Sequence, residues 1–290
     1  MYTILTDSCS DLNAGIAARF AQLEVLPLSY TISGQTSTQP FDDAARCSAF
    51  YDRLRAGEMC TTSQVSPGDF AEAFKAHAKK GEAVLGLIFS SALSGTYASA
   101  CMARDMVLEE YPDAVIELVD TLSASAGEGM VVYDALLRRD AGMPIEENAV
   151  YTKAHLQEYA HWFTVDDLHF LKRGGRCSPS AAFFGTMLKI KPVLHVDSEG
   201  RLIARSKVRG RVQALRAIAM KFGELEADKD QVIFISHGDC EKDALLVKDT
   251  LVKTFGCAPE KIFLSAVGPV IGSHSGPGTV ALFFRGKNRG

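Results

Sequence analysis

Apolar residues in this chain come in two rhythms, short solid runs and longer stripes of helical period, and the two alternate from the start. Residues 83–89 are a solid apolar run that predicts a buried strand, and residues 95–110 behind them predict a helix. Residues 2–6 and 24–30 carry the same strand signal on either side of a polar loop at 7–11 and a helix through residue 20, which Ser10 or Asp11 is placed to cap. That order predicts parallel pairing with a right-handed crossover. Residues 33–40 are small and polar and read as a surface excursion, 42–56 as a helix stopped by Gly57, and 59–64 as a hydroxyl-rich connector. Ser66, Pro67 and Asp69 are the cap, first position and capping-box acid of a helix reaching Lys79. A strand at 115–119 and a helix at 125–139, rich in small side chains, complete this series. Ala98, Met102 and Met106 form an apolar row at helical spacing.

Residues 144–160 read as a linking helix, after which the rhythm changes. A strand at 162–165 and a helical stretch at 167–171 precede a break at 173–176. Phe183, Phe184, Met187 and Leu188 follow as a cluster of large apolar groups. Residues 191–196 and 202–208 flank Asp197-Ser198-Glu199-Gly200 and predict a β-hairpin. Helices at 211–222 and 241–255, strands at 231–236 and 261–267, a Gly/Pro loop at 268–278 and a strand at 280–284 close the chain. The fold expected is α/β in two domains: a Rossmann-like parallel sheet with helices over residues 1–158, and an α/β domain with a mixed sheet over 159–290.

The composition narrows the function. A net charge of −4 gives no electrostatic case for nucleic acid, and Arg285, Lys287 and Arg289 form only a short basic tail, read as solvated. Strand-like sequence from Tyr2 leaves no room for a secretion signal, and no apolar run is long enough to cross a bilayer. Seven cysteines without a C-x-x-C spacing fit a reducing cytoplasm, and seven histidines without an HExxH pair give no support to a metal or other cofactor.

The chemistry gathers at strand ends. Three strands run into hydroxyl-rich loops, after Thr6, Phe89 and Val119, and an open parallel sheet binds ligands beyond its carboxyl edge. Ser90-Ser91-Ala92-Leu93-Ser94-Gly95-Thr96-Tyr97, between a strand and a helix, makes a seat for an anion. His274 stands between Ser273 and Ser275 in the Gly/Pro loop, and Arg173 and Arg176 bracket two glycines in a way that suits a carboxylate or phosphate. Ser94 and His274 could also be a nucleophile and its base in a serine hydrolase acting on acyl esters. However, Ala92-Leu93-Ser94-Gly95-Thr96 lacks the first glycine of a nucleophile elbow. There is no P-loop and no G-x-G-x-x-G after a strand.

Taken together, these stretches resemble the DegV family over nearly the whole chain. The resemblance rests on Thr6-Asp7-Ser8, Thr62-Ser63-Gln64, Ser66-Pro67-Gly68, residues 90–96, Leu171-Lys172-Arg173-Gly174-Gly175-Arg176, Lys191-Pro192, Val208-Arg209-Gly210-Arg211 and residues 268–274. Residues 34–41 depart from the family's usual text. The resemblance implies a non-catalytic protein that holds one long-chain fatty acid between and within its domains. It also implies a partner, a dihydroxyacetone-kinase-like fatty acid kinase that phosphorylates the carboxyl group, and a role in phospholipid metabolism with at most transient membrane contact. It places the carboxylate on Thr62, Ser94, Arg173 and His274, with Ser63, Gly95, Thr96, Gly272 and Ser273 as secondary contacts. A third reading, a sugar- or triose-binding protein, follows from the partner's own fold relatives. Physics agrees with the acyl reading: about fifteen buried methylenes contribute on the order of 10 kcal/mol, and a buried carboxylate needs donors to remain charged. Phe183, Phe184, Met187, Leu188 and the row Ala98, Met102, Met106 are the candidate walls.

Overall fold

The computed structural model describes residues 1–12, 14–38, 43–177 and 190–290. The first half of the chain runs β1 (Thr3–Asp7), a 3-10 turn (Ser8–Ser10), α1 (Ala14–Ala17), β2 (Leu23–Leu26), β3 (Ser29–Ile32), β4 (Gln35–Ser37) and α2 (Ala44–Arg55). It continues through β5 (Cys60–Ser63), α3 (Pro67–Ala78), β6 (Val84–Ile88), α4 (Thr96–Glu110), β7 (Ile116–Asp120), α5 (Ala126–Asp140) and α6 (Ile145–His155). A four-stranded parallel sheet has the order β2-β1-β6-β7. Its two central strands, β1 and β6, are buried along their whole length because both faces are covered. Val84 and Ile88 pack toward Phe70 and Phe74 of α3 and Ala103 of α4, while Leu85 and Leu87 pack toward Val131 and Ala135 of α5 and Ala149 of α6.

Four readings of this half are corrected. The strand expected over 24–30 is two strands in two sheets. Pro27 has no N–H for a ladder, Leu28 gives its own N–H to Ser8 Oγ at 2.9 Å, and the chain changes sheets there. Gln35–Ser37 of the polar excursion and Cys60–Ser63 of the hydroxyl-rich connector are strands as well. β4, β3 and β5 form a small antiparallel sheet in that order, turning at Ser33 (φ 48°) and Gly34 (φ 76°). Ile32 and Cys60 bury one face of it against Phe50, Tyr51 and Leu54 of α2. The row Ala98, Met102, Met106 is also misassigned as a wall. It faces solvent, with Met102 52% and Met106 54% exposed. The smaller Ser99, Ala100, Ala103 and Val107 form the buried face of α4.

The second half runs β8 (Tyr159–Thr164), α7 (His169–Arg173), β9 (Ile190–Val196), β10 (Leu202–Arg209), α8 (Arg211–Leu225) and β11 (Ile233–His237). It ends with α9 (Glu241–Thr250), a π turn (Leu251–Phe255), β12 (Ile262–Ala266), α10 (Pro269–Ser275) and β13 (Val280–Arg285). The strand order β10-β9-β8-β13-β11-β12 makes a mixed sheet, parallel between β11 and β12 and antiparallel elsewhere. Strand alternation divides its faces. Ala160, Trp162, Leu282 and Phe284 turn toward α8, whereas Phe163, Ala281, Phe283 and Phe234 join the core that also holds α5.

Three further readings change here. The helix expected to residue 160 stops at His155, and Tyr159 and Ala160 begin β8. The Gly/Pro loop contains a short helix, α10, with Pro269 at its first position. The basic tail is not solvated as a whole. Arg289 is 3% exposed and donates to the carbonyls of Leu122, Leu156 and Asp197, and Arg285 pairs with Asp134 and Glu158. Phe183, Phe184, Met187 and Leu188 lie outside the described residues. No helix among the described residues is long and apolar enough to cross a membrane.

Candidate functional site

A cavity of about 370 Å³ opens where the carboxyl edge of the parallel sheet meets the inner face of the mixed sheet. That is within the usual size of a small-ligand site. Phe89, Leu93, Phe163, Leu171, Val196 and Phe283 are among its apolar walls. Thr62, Ser63, Gln64, Ser94, Gly95, Arg176 and His274 supply one polar region of the lining, and Ser125, His161 and Ser236 a second.

The three strand-end loops do share one edge, but the backbone amides there are mostly spent. Asp7, at the end of β1, accepts from Cys9 N at 2.9 Å and Phe89 N at 3.0 Å. Asp120, at the end of β7, accepts from Ser91 N and Leu122 N, both at 3.1 Å. Burial pushes the Asp7 carboxyl up to about 6. Ser90 gives its hydroxyl to Gly200 O at 3.0 Å and so ties this loop to the β9–β10 turn. A Cβ on Gly200 (φ +78°) would strike that hydroxyl at 2.2 Å. The protein's own carboxylates thus fill much of the anion seat read from the sequence, and ligand-binding capacity moves onward to Ser94.

At that end, β5 and α10 bring Thr62 Oγ1 within 2.8 Å of His274 Nε2. His274 Nδ1 lies over Gly174, where a Cβ would sit 2.3 Å from it. Burial first, then the charges of Arg176 and Arg173, hold the His274 imidazole down at about 4, so it is neutral near pH 7. Ser94 Oγ pairs with Thr96 Oγ1 at 2.9 Å and receives Thr96 N at 3.3 Å. Arg176 gives Nε to Leu93 O at 3.0 Å and Nη1 to Gly174 O at 2.5 Å, clamping the serine loop to the turn after α7. Gln64 gives Nε2 to Ser99 Oγ at 2.7 Å.

Of the residues singled out in the sequence, Thr62, Ser63, Ser94, Gly95 and His274 line this cavity. Arg173 does not. It ends α7, exposed, with its guanidinium carbon 4.9 Å from the centre of the Phe170 ring, and Arg176 is the arginine in the lining. Thr96, Gly272 and Ser273 also lie behind the lining. Thr96 is buried at the start of α4, Gly272 packs under the Tyr51 hydroxyl, and Ser273 Oγ bonds Pro269 O at 2.6 Å. Ser94 and His274 are not bonded to each other among the described residues, each being engaged by a threonine, so the nucleophile–base pair of a hydrolase is not formed.

The second polar region was missed. Ser125 caps α5 at φ 54° and bonds Asp11 Oδ2 at 2.5 Å and Ser236 Oγ at 3.0 Å. Asp11 also accepts Gly268 N at 2.9 Å, so it joins the β1 loop to α10 instead of capping a helix. Enclosure, chiefly, pushes its carboxyl up to about 7. His161 stands on the inner face of β8. The one trace of it in the sequence is a histidine two positions from Phe163 in an otherwise apolar alternation.

Comparison with known proteins agrees in fold and extent. A family model described as an uncharacterised protein of the DegV family matches residues 1–287. A DegV domain-containing protein of Clostridium perfringens is 40% identical over 99% of this chain and 98% of its own length. A fatty-acid-binding DegV family protein of Thermus thermophilus superposes with a TM-score of 0.87 at 32% identity, covering 98% of this chain and 99% of that one. The fatty-acid-binding DegV family protein SAG1342 of Streptococcus agalactiae gives 0.85 at 29% identity, covering 99% of each. With a family model matched over residues 1–287, a relative 40% identical over 99% of the chain and a superposition at a TM-score of 0.87 over 98% of it, this chain belongs to the DegV family.

Proposed function

We propose that this protein binds one long-chain fatty acid without transforming it. The acyl tail lies along the apolar walls and the carboxylate rests against Thr62, Ser94, His274 and Arg176, with Arg173 as a more distant charge. The observation that carries this is the pairing, in one cavity, of apolar walls with a mouth whose only formal charge among the described residues is positive. A carboxylate drawn from water needs such donors to stay ionised, while each buried methylene contributes about 0.8 kcal/mol. The relatives described above as fatty-acid binding support the reading. We place the division between the domains at residues 158 and 159, with the ligand between them. We further propose that the head group is presented to a dihydroxyacetone-kinase-like kinase. Thr62, Ser94 and His274 are half-buried, not sealed, which leaves the carboxyl within a partner's reach.

Native mass spectrometry of the purified protein is expected to show one fatty acid per chain, and stripped protein is expected to take one up. Stripped protein that binds no fatty acid overturns the proposal. Kinase transfer is read separately, as acyl phosphate formed only when this protein, ATP and the kinase are combined.

A further inference from the structure

We propose that the second polar region of the cavity is a hydroxyl-recognition site, so that the preferred ligand is a fatty acid bearing one hydroxyl group partway along its chain. The inference rests on the fatty-acid reading above and adds the substrate class.

An acyl tail needs no polar partner, yet this wall offers one. His161 is 1% exposed and lines the cavity. Its Nδ1 lies 2.8 Å from Tyr159 O, an acceptor, so the proton sits on Nδ1 and Nε2 keeps a bare lone pair. That Nε2 has no hydrogen-bond partner among the described residues. Burial, and then the charge of Arg289, hold the ring neutral, so Nε2 does not acquire a proton of its own. An unpartnered buried acceptor is costly and uncommon.

Proton accounting selects the ligand group. Above pH 7, where Asp11 is ionised, Ser125 gives its one hydrogen to Asp11 Oδ2, and the hydrogen between the two serines is then the one on Ser236. Both hydrogens are then spent, so the two serines and His161 Nε2 present lone pairs, while Ser275, also in the lining, keeps a hydroxyl without a partner among the described residues. A ligand hydroxyl carries the missing donor. A ketone at the same place brings a further acceptor and no donor.

The location fits a position along the tail. The hydroxyl network is anchored at the start of α10, through Asp11 on Gly268 N, whereas the head-group histidine is near its other end. Helical rise alone separates Gly268 from His274 by about 9 Å.

The test uses the full chain, stripped of lipid, at about pH 8 where Asp11 is ionised, titrated with stearic acid, its mid-chain monohydroxy derivatives and the matching keto acids. At least one hydroxy acid is expected to bind about tenfold more tightly than stearic acid, and its keto analogue more weakly. In an apolar tunnel the order would reverse, because an unpaired hydroxyl is penalised. His161→Phe is expected to bring the ratio of hydroxy-acid to stearic-acid affinity below one. The wild-type series needs no variant and stands if that variant fails to fold. Stearic acid binding with every hydroxy acid equal or weaker overturns this inference and leaves the fatty-acid reading standing. No binding of any acid overturns both.

Discussion

The two polar regions of the cavity are built on opposite terms. The mouth is assembled from short or irregular pieces: a four-residue edge strand, a serine turn, the turn after α7 and a seven-residue helix. It is half-exposed and carries guanidinium charge. The inner wall takes His161 and Ser236 from strands of the mixed sheet and Ser125 from the start of α5, is buried, and is neutral apart from Asp11 behind it. Desolvation accounts for the difference. A charged group is cheap only where solvent still reaches it, while neutral hydroxyls can be sealed in if their hydrogens find acceptors.

The largest expected effect separates the two arginines of the mouth. Arg176→Ala removes the cavity's own positive charge and the clamp on Leu93 O, and is expected to weaken fatty-acid binding by about 2–5 kcal/mol in calorimetric titration. Arg173→Ala removes an exposed, solvent-screened charge and is expected to cost under about 1 kcal/mol. If the order is reversed, Arg173 and not Arg176 reaches the carboxylate.

The next effect belongs to the inner wall and is read as stability. The Asp11 carboxyl titrates at about 7 when folded and at about 3.9 when unfolded. Between those values the folded protein holds a proton that the unfolded chain has released. Its stability contribution is complete below about pH 4 and is lost as pH rises through 7. Asp11→Asn keeps the acceptor for Gly268 N and removes the titration. From pH 4 to pH 8 the variant is expected to gain roughly 2–4 kcal/mol relative to wild type, measured as the difference between their urea unfolding curves. A constant difference across that range would mean that Asp11 stays ionised.

How much of this the sequence disclosed follows from which interactions are local. Solid apolar runs gave the parallel strands, and Ser66 with Asp69 gave the start of α3, because run length and capping are written within a few residues. The small sheet was hidden because β3, β4 and β5 are three or four residues long and rich in hydroxyls, so their strand character comes from pairing across the chain. Thr62 and His274 were identified through a family resemblance; spacing alone could not join residues 212 positions apart. The resemblance named Arg173 for the carboxylate, whereas Arg176 is the arginine in the lining, and no local pattern ranks the two because which of them meets the cavity depends on where α7 ends. His161 was invisible as a site because its significance lies in a missing bond, which no local pattern records.

Ser94→Ala sharpens the mouth further. Its hydroxyl is shared with Thr96 in the structure, so the variant removes one donor from the carboxylate without opening a charge. The expected loss of affinity is about 1–3 kcal/mol. Unchanged affinity would remove Ser94 from the site while leaving His274 and Arg176 in place.

The smallest effect is expected outside both regions, on the outer face of α4. Met102 and Met106 look like tail contacts in sequence because they repeat at helical spacing and are apolar. The opposite face of that helix is the buried one, since Ala100 and Ala103 let it pack closely against α3. Met102→Gln and Met106→Gln therefore leave the core and cavity untouched, and each is expected to change stability by no more than about 0.5 kcal/mol, with fatty-acid affinity unchanged. A larger loss of affinity in either variant would show that the tail runs beneath α4, and the cavity would then have to be redrawn from the mouth outward.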